Sequence, residues 1–376
     1  MEKIKIKVGI TGQEGFVGQH LYNSLGLYPD EFECIAYDIA IFKDDEQLDT
    51  FVSNCDVIVH LAAMNRHNDP EILYQTNIGL VKKLIGALER TKSSAHVLFS
   101  SSSQEERDNL YGRSKKEGRE LLASWALTAN GIFTGLVIPN VFGPFGHPYY
   151  NSFIATFSHQ LTHNEQPKIE VDGEVKLIYV NELVMLIINE IRSKKGNSLF
   201  VIPHTSVNKV SEILSLLEKY KAEYFEKGII PEINSSFELN LFNTFRCYLD
   251  IKSHNPVSLV KHTDPRGAFV EIIRLNVGGQ VSFSTTVPGI TRGNHFHTRK
   301  IERFAVIKGK ALIQLRRIGT TEVLDFYLDG ENPSYVDMPV WYTHNIKNIG
   351  DEELYTNFWI NEFYDPADPD TYMETV

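Results

Sequence analysis

Three cysteines in 376 residues, Cys34, Cys55 and Cys247, are too few and too scattered for a disulfide scaffold. No CxxC pair occurs, so the thiols are expected to be reduced core groups in a cytoplasmic protein. Positive charge is also short. Lys and Arg number 37 against 48 Asp and Glu, for a net charge of −11. Such a chain lacks the concentrated cations that a phosphate backbone needs, which argues against nucleic acid as a partner. Long apolar runs are missing too. The best stretch, around Val57 to Met64, is far too short to cross a bilayer, so no membrane insertion is expected. The first residues, Met1-Glu2-Lys3-Ile4-Lys5, alternate like a strand and lack a signal-peptide core. There is no internal repeat and no low-complexity tract.

What is present is an ordinary globular composition, 42% hydrophobic and 23% charged, in a length that suits two domains. Up to about residue 200, β-rich runs alternate with helical patterns. Strand candidates are Ile4–Thr11, Phe32–Asp38, Asp56–Ala62, His96–Ser101, Phe133–Pro139 and Leu199–Ile202. Helical periodicity marks Leu121–Ala129 and Glu182–Ile191. A longer helix is expected from Val207 to about Lys227. Alternation of this kind implies an α/β fold, a Rossmann-type doubly wound parallel sheet. Near residue 250 the texture changes to short strands separated by Gly, Pro and Asp: Gln280–Thr286, Glu302–Ile307, Ala311–Leu315 and Val323–Leu328. That pattern implies an all-β barrel or jelly roll. The expected domains are therefore 1–250 and 251–376.

Two groups of residues carry chemistry in the first domain. Thr11-Gly12-Gln13-Glu14-Gly15-Phe16-Val17-Gly18 follows the first strand and opens a helix. Glycines there allow a tight turn and close approach of a pyrophosphate to the helix N-terminus. Asp38 follows the second strand, where a carboxylate accepts from the adenosine ribose hydroxyls and disfavours a 2′-phosphate. The second group is Tyr111-x-x-x-Lys115. On a helix these positions share a face, and Ser100-Ser101-Ser102-Ser103 ends the strand just before them.

With these motifs in place, residues 1 to about 245 resemble the extended short-chain dehydrogenase/reductases that act on nucleotide sugars. His60-Leu61-Ala62-Ala63 resembles that family's strand-end motif beside the nicotinamide. Pro139-Asn140-Val141-Phe142-Gly143-Pro144 resembles its later Pro-Asn motif. The resemblance implies that Tyr111 is the proton donor and that Lys115 lowers the Tyr pKa and holds the nicotinamide ribose. Ser102 would bind the carbonyl, with Ser101 as the alternative. Asn140 would be a substrate contact. Asp38 favours NADH, whereas the family favours NADPH, and both stay open. One departure is the absence of the family's Arg before the Pro-Asn motif, where Leu136-Val137-Ile138 stands.

The second domain carries Gly289-x5-His295-x-His297-x4-Glu302-x6-Gly309, followed by Pro339-x-Trp341-x2-His344-x3-Asn348. These stretches resemble the two cupin motifs, and the resemblance implies that His295, His297, Glu302 and His344 form a three-His, one-carboxylate metal site, best suited to zinc, with iron, nickel and manganese as alternatives. Trp341 stands where the second motif has Gly. Asp264-Pro-Arg266-Gly267-Ala-Phe269-Val-Glu271 and Arg292-Gly293-Asn-His295 also resemble the deoxysugar 3,5-epimerases. In those enzymes the His is a base rather than a ligand, and the Arg and Glu contact the nucleotide, which makes Arg266, Glu271 and Arg292 candidate substrate contacts. Order and motifs over the whole chain resemble the bifunctional capsular-polysaccharide enzymes of the CapF type, in the UDP-N-acetyl-L-fucosamine pathway. The resemblance implies a UDP-sugar substrate, a homodimer or larger homo-oligomer, and two steps: C3 epimerisation in the cupin, then reduction of a C4 ketone. Two other readings remain. The cupin could be only a dimerisation and nucleotide-binding module, or it could be an independent metal enzyme.

Overall fold

The computed structural model describes residues 4–376, so the expected start of the first strand at Met1–Lys3 lies outside the described residues. Contacts divide the chain into two compact units. One holds the residues up to Phe153 together with Val171–Val210, and the other holds Ile154–Glu170 and Ser211–Val376. The expected division near residue 250 differs from this one, because the helices after 210 pack with the C-terminal strands. Among the described residues, no helix is long and apolar enough to cross a membrane.

Among the described residues the first unit contains nine strands: β1 (Ile6–Thr11), β2 (Phe32–Ile35), β3 (Val57–His60), β4 (His96–Ser102), β5 (Ile132–Ile138), β6 (Asn140–Phe142), β7 (Glu174–Tyr179), β8 (Asn197–Val201) and β9 (Ser206–Lys209). Its helices are α1 (Phe16–Leu25), α2 (Asp45–Ser53), α3 (Pro70–Thr91), α4 (Leu110–Ala129) and α6 (Val180–Ser193), with α5 (Phe153–Thr162) falling almost wholly in the second unit. Six strands form a parallel sheet in the order β2-β1-β3-β4-β5-β8. Its central strands are apolar on both faces, which is why Val57, Ile58 and Val59 read as an unbroken run. Helix starts are encoded locally. Asp44 and Asp69 cap α2 and α3, Pro70 sits at the first turn of α3, and Asn109 caps α4 by accepting from Gly112 N at 2.7 Å. Strand order reverses between β1 and β3, the place where open α/β sheets bind ligands.

The second unit adds β10 (Val257–Ser258), β11 (Lys261–Asp264), β12 (Gly267–Val270), β13 (Gln280–Thr286), β14 (Thr291–Phe296), β15 (Glu302–Lys308) and β16 (Lys310–Arg317). It ends with β17 (Val323–Asp329), β18 (Ser334–Met338), β19 (Tyr342–Asn348), β20 (Leu354–Ile360) and β21 (Tyr372–Met373). They form two antiparallel sheets, β10-β18-β15-β20-β13 and β17-β16-β19-β14-β21, with β11-β12 as a separate hairpin. Alternate residues such as Phe304, Val306, Ile313, Leu315, Val336 and Ile346 make the core of this all-β domain.

The helix expected over 207–227 is shorter. Residues 206–209 pair with β7 as β9, α7 spans Val210–Tyr220, and a π turn covers Lys221–Phe225. The alternation in Ser206-Val207-Asn208-Lys209 suited a strand, and sheet pairing decided it. A further helix, α8 (Ser236–Arg246), belongs to the same unit. A buried ionic latch joins this helical stretch to the strands. Arg303 pairs with Asp337 at 2.7 Å and stacks on Tyr335, while Tyr224 donates to Asp337 at 2.7 Å. Arg246 donates to the Tyr224 hydroxyl at 3.2 Å and to Met338 O at 3.0 Å.

Candidate active site and metal centre

The glycine loop lies at the carboxyl end of β1. Gly12 has a φ of +75°, and a Cβ there would lie 2.8 Å from Ala62 N. A Cβ on Gly18 would lie 2.3 Å from Gly12 O. Both positions therefore demand glycine. No side chain caps α1 and no acidic residue occupies its first turn, so the helix end suits an anion. Phe16 and Val17 begin that helix, while Leu61, Ala62 and Ala63 follow β3 directly across the loop. Asp38 is engaged locally. Its Oδ1 accepts from Ala40 N at 2.7 Å and caps a 3-10 turn over Ile39–Lys43.

Tyr111 and Lys115 share the N-terminal turns of α4. Pleat alternation turns the serines at the end of β4 to opposite faces. Ser101 donates to the buried Glu105 carboxylate, which pairs with Arg119 at 2.8 Å, and so faces away from Tyr111. Ser102, on the opposite face of the strand, accepts from Gln104 N at 3.2 Å and lies close enough to Tyr111 to lower its phenol. Tyr111 donates to Asn65 Oδ1 at 3.2 Å. Burial pushes its phenol up to about 12, with Ser102 acting the other way. Lys115 donates to Ser100 O at 3.0 Å, and its burial pulls the ammonium down to about 8.

Residues beyond the motifs complete the site. His60 Nδ1 lies 2.7 Å from Thr11 Oγ1 and ties the ends of β1 and β3 together. Asn77 accepts from Met64 N at 2.7 Å and donates to Ser114 Oγ at 3.1 Å, which fixes the loop that carries Asn65. Asn65 and Asn77 carry no spacing signal, so sequence reasoning missed them. Pro139 is half-buried after β5, whereas Asn140 is exposed and donates to Lys176 O at 3.1 Å.

In the second unit β14, β15 and β19 bring His295, His297, Glu302 and His344 together, with one ligand atom of each within 4.8 Å of the others. His297 Nε2 and His344 Nε2 each lie 3.1 Å from Glu302 Oε2, and His295 Nε2 lies at 4.0 Å. His297 Nε2, His344 Nε2 and Glu302 Oε2 are buried without a well-formed hydrogen bond. Buried polar atoms converging in this way are costly unless a cation satisfies them, so the four side chains fit a divalent metal. Burial acts to raise Glu302, but His297 and His344 hold its carboxyl far below the usual range. Burial and the neighbouring His344 lower His295 to about 4. Trp341 adopts the left-handed backbone, φ 61°, that explains the motif's usual Gly, and its backbone N–H donates to His297 O at 2.8 Å.

The other expected substrate contacts lie elsewhere. Arg266 is exposed and paired with Asp264 at 2.6 Å, and Glu271 is paired with Arg274 at 2.6 Å. Arg292 is exposed and donates to Thr285 O at 3.1 Å. All three hydrogen-bond or pair with a local partner.

Residues 8–202 match the NAD dependent epimerase/dehydratase family, and residues 262–372 match the polysaccharide biosynthesis C-terminal domain. The chain belongs to the NAD dependent epimerase/dehydratase family, in its two-domain CapF branch. It is 32% identical over 99% of both chains to UDP-2-acetamido-2,6-beta-L-arabino-hexul-4-ose reductase from Pseudomonas aeruginosa. The crystal structure of the capsular polysaccharide assembling protein CapF from Staphylococcus aureus is similar at a TM-score of 0.63. That pair is 33% identical over 99% of this chain and 100% of the other. Spore coat polysaccharide biosynthesis protein SpsL from Bacillus subtilis is 28% identical over 30% of this chain and 81% of its own length. Membership of this branch places the protein among nicotinamide-dependent nucleotide-sugar reductases.

Proposed function

We propose that the protein is bifunctional. Its second unit epimerises C3 of a UDP-2-acetamido-2,6-dideoxy-4-ketohexose, and its first unit reduces the C4 ketone to give UDP-N-acetyl-6-deoxy-L-talosamine. The Ser102, Tyr111 and Lys115 constellation beside the glycine loop carries the reductase reading. The substrate class rests on the Pseudomonas relative, whose name describes reduction of a 4-keto UDP-sugar.

Reduced nicotinamide, when bound, supplies the hydride. Gly12, Gly15 and Gly18 admit its pyrophosphate to the end of α1. Ser102 donates to the ketone oxygen and holds it beside Tyr111. Tyr111 passes its phenolic proton to that oxygen as negative charge develops, and Lys115 stabilises the phenolate left behind. The high proton affinity of Tyr111 keeps it a donor across the neutral range.

For epimerisation, the same ketone acidifies the neighbouring C3–H. A divalent cation held by His295, His297, Glu302 and His344 would act as a Lewis acid when bound, and the imidazole-rich set favours zinc. The convergence of three buried ligand atoms that lack a well-formed hydrogen bond supports this reading.

The test is NMR of a 4-keto UDP-sugar incubated in deuterated water, with and without reduced cofactor. Deuterium at C3 without cofactor and a 4-hydroxy product with it are expected. Reduction without C3 exchange would leave a reductase alone.

A further inference from the structure

The C-terminal segment after β20 returns across the metal-ligand loop. Strand β21 pairs with β14 so that Met373 stands opposite His295 and Tyr372 opposite Phe296. Just before it lies Asp370, 3% exposed and left-handed at φ 41°. Its carboxylate grips the turn that joins His297 to Glu302. Oδ1 accepts from Thr298 N at 3.1 Å and Thr298 Oγ1 at 2.7 Å, and Oδ2 accepts from Arg299 N and Lys300 N at 3.0 Å each. Its carbonyl oxygen lies 2.5 Å from His297 Nδ1. Lys300 Nζ also donates to Pro369 O at 2.8 Å.

A carbonyl can only accept, so His297 Nδ1 carries the hydrogen. The lone pair of the neutral ring then sits on Nε2, the atom that faces Glu302. We infer that Asp370 is a positioning residue for the metal centre. Its backbone sets the His297 tautomer, and its carboxylate fixes the turn that holds His297 and Glu302 in register. The inference rests on the metal reading above and deepens it, since the C-terminal segment becomes part of the ligand site.

The physical reason is preorganisation. A ligand ring held by one outer hydrogen bond, on a turn with three satisfied N–H groups, loses little freedom when a cation arrives. Removing such outer partners typically weakens metal binding by about 10- to 100-fold.

The test is Asp370→Asn, with Asp370→Gly alongside. Asn and Gly both tolerate the left-handed backbone and keep the carbonyl, while Asn keeps one acceptor oxygen and Gly keeps none. Zinc is titrated into metal-stripped full-length protein against a chromophoric chelator. Thermal melting is measured with and without zinc. Wild type is expected to bind one zinc per chain, Asp370→Asn to bind about 10-fold more weakly, and Asp370→Gly more weakly again. Zinc should raise the melting temperature less in the variants than in wild type. Equal zinc affinity in all three proteins overturns the inference. So does an equal drop in melting temperature with and without zinc, which marks a merely structural contact. Wild-type protein that takes up no zinc or other divalent metal overturns the underlying metal reading, and that failure is visible before any variant is compared.

Discussion

Lys115 is where stability and catalysis oppose each other. Its ammonium is buried, and burial draws it down from 10.5 to about 8. The folded state therefore sheds the proton before the unfolded state does. The penalty is whole below pH 8 and fades as pH rises towards 10.5. It amounts to roughly 3 kcal/mol, offset by about 1 kcal/mol from the bond to Ser100 O. Lys115→Met should therefore raise the melting temperature of the cofactor-free first unit at pH 7. The gain should shrink towards pH 10, and reduction should be lost; calorimetry across pH checks the first part. In the wild-type enzyme, kcat/KM for the nicotinamide should fall as pH rises through about 8, since that parameter reports groups of the free enzyme. Tyr111→Phe keeps the ring and removes the donated proton. Reduction should drop by about 10² to 10⁴, with C3 exchange unchanged. Near-normal oxidation of cofactor by this variant would remove Tyr111 from its role.

At the scale of the element, the loop after β1 is decided by backbone contact. Gly18→Ala pushes a methyl to 2.3 Å from Gly12 O and 2.8 Å from Gln13, so the loop must open. Cofactor affinity should fall at least 10-fold in a fluorescence titration, while zinc uptake by the second unit stays normal. The latch between the helical stretch and the strands makes a different demand. Asp337 is the carboxylate facing Arg303, with Arg246 behind Tyr224. Asp337→Ala leaves two buried guanidiniums without a counter-ion. Breaking a buried pair on one side costs about 3–5 kcal/mol. Chemical denaturation should show that loss in the second unit, and a change under about 1 kcal/mol would show that the latch is replaceable.

At the scale of the molecule, the chain has two compact units with one constellation in each. On the proposed metal reading, chelation should lower the melting transition of the second unit, because ligand binding is coupled to folding. Cofactor binding by the first unit should be unaffected, and C3 exchange should disappear. Differential scanning calorimetry before and after chelation, with elemental analysis of both samples, checks this. Loss of the first transition on chelation would contradict it.

Sequence alone determined what depends on short spacing. The glycine loop and the Tyr111 and Lys115 pair each lie within one or two neighbouring elements, and the candidate ligands fall in two short motifs, His295 to Glu302 and His344, so local pattern carries them. The strands β13, β15, β16 and β17 were equally legible, because alternation repeats every two residues, whereas β14 was not among the expected strands. Tertiary structure decided what depends on distant partners. Pleat direction put Ser101 against Glu105 and Ser102 on the other face, which only a folded β4 shows. Pairing with β7 turned residues 206–209 from helix to strand. Packing of residues 211–250 with the second unit moved the division of the chain away from the change in texture. The partners of Arg266 and Glu271, Asp264 and Arg274, were likewise visible only in the folded chain, because they depend on side-chain reach. Asp370 lies 73 residues from His297 and carries no spacing signal, so its grip on the metal loop appears only when β21 folds back along β14.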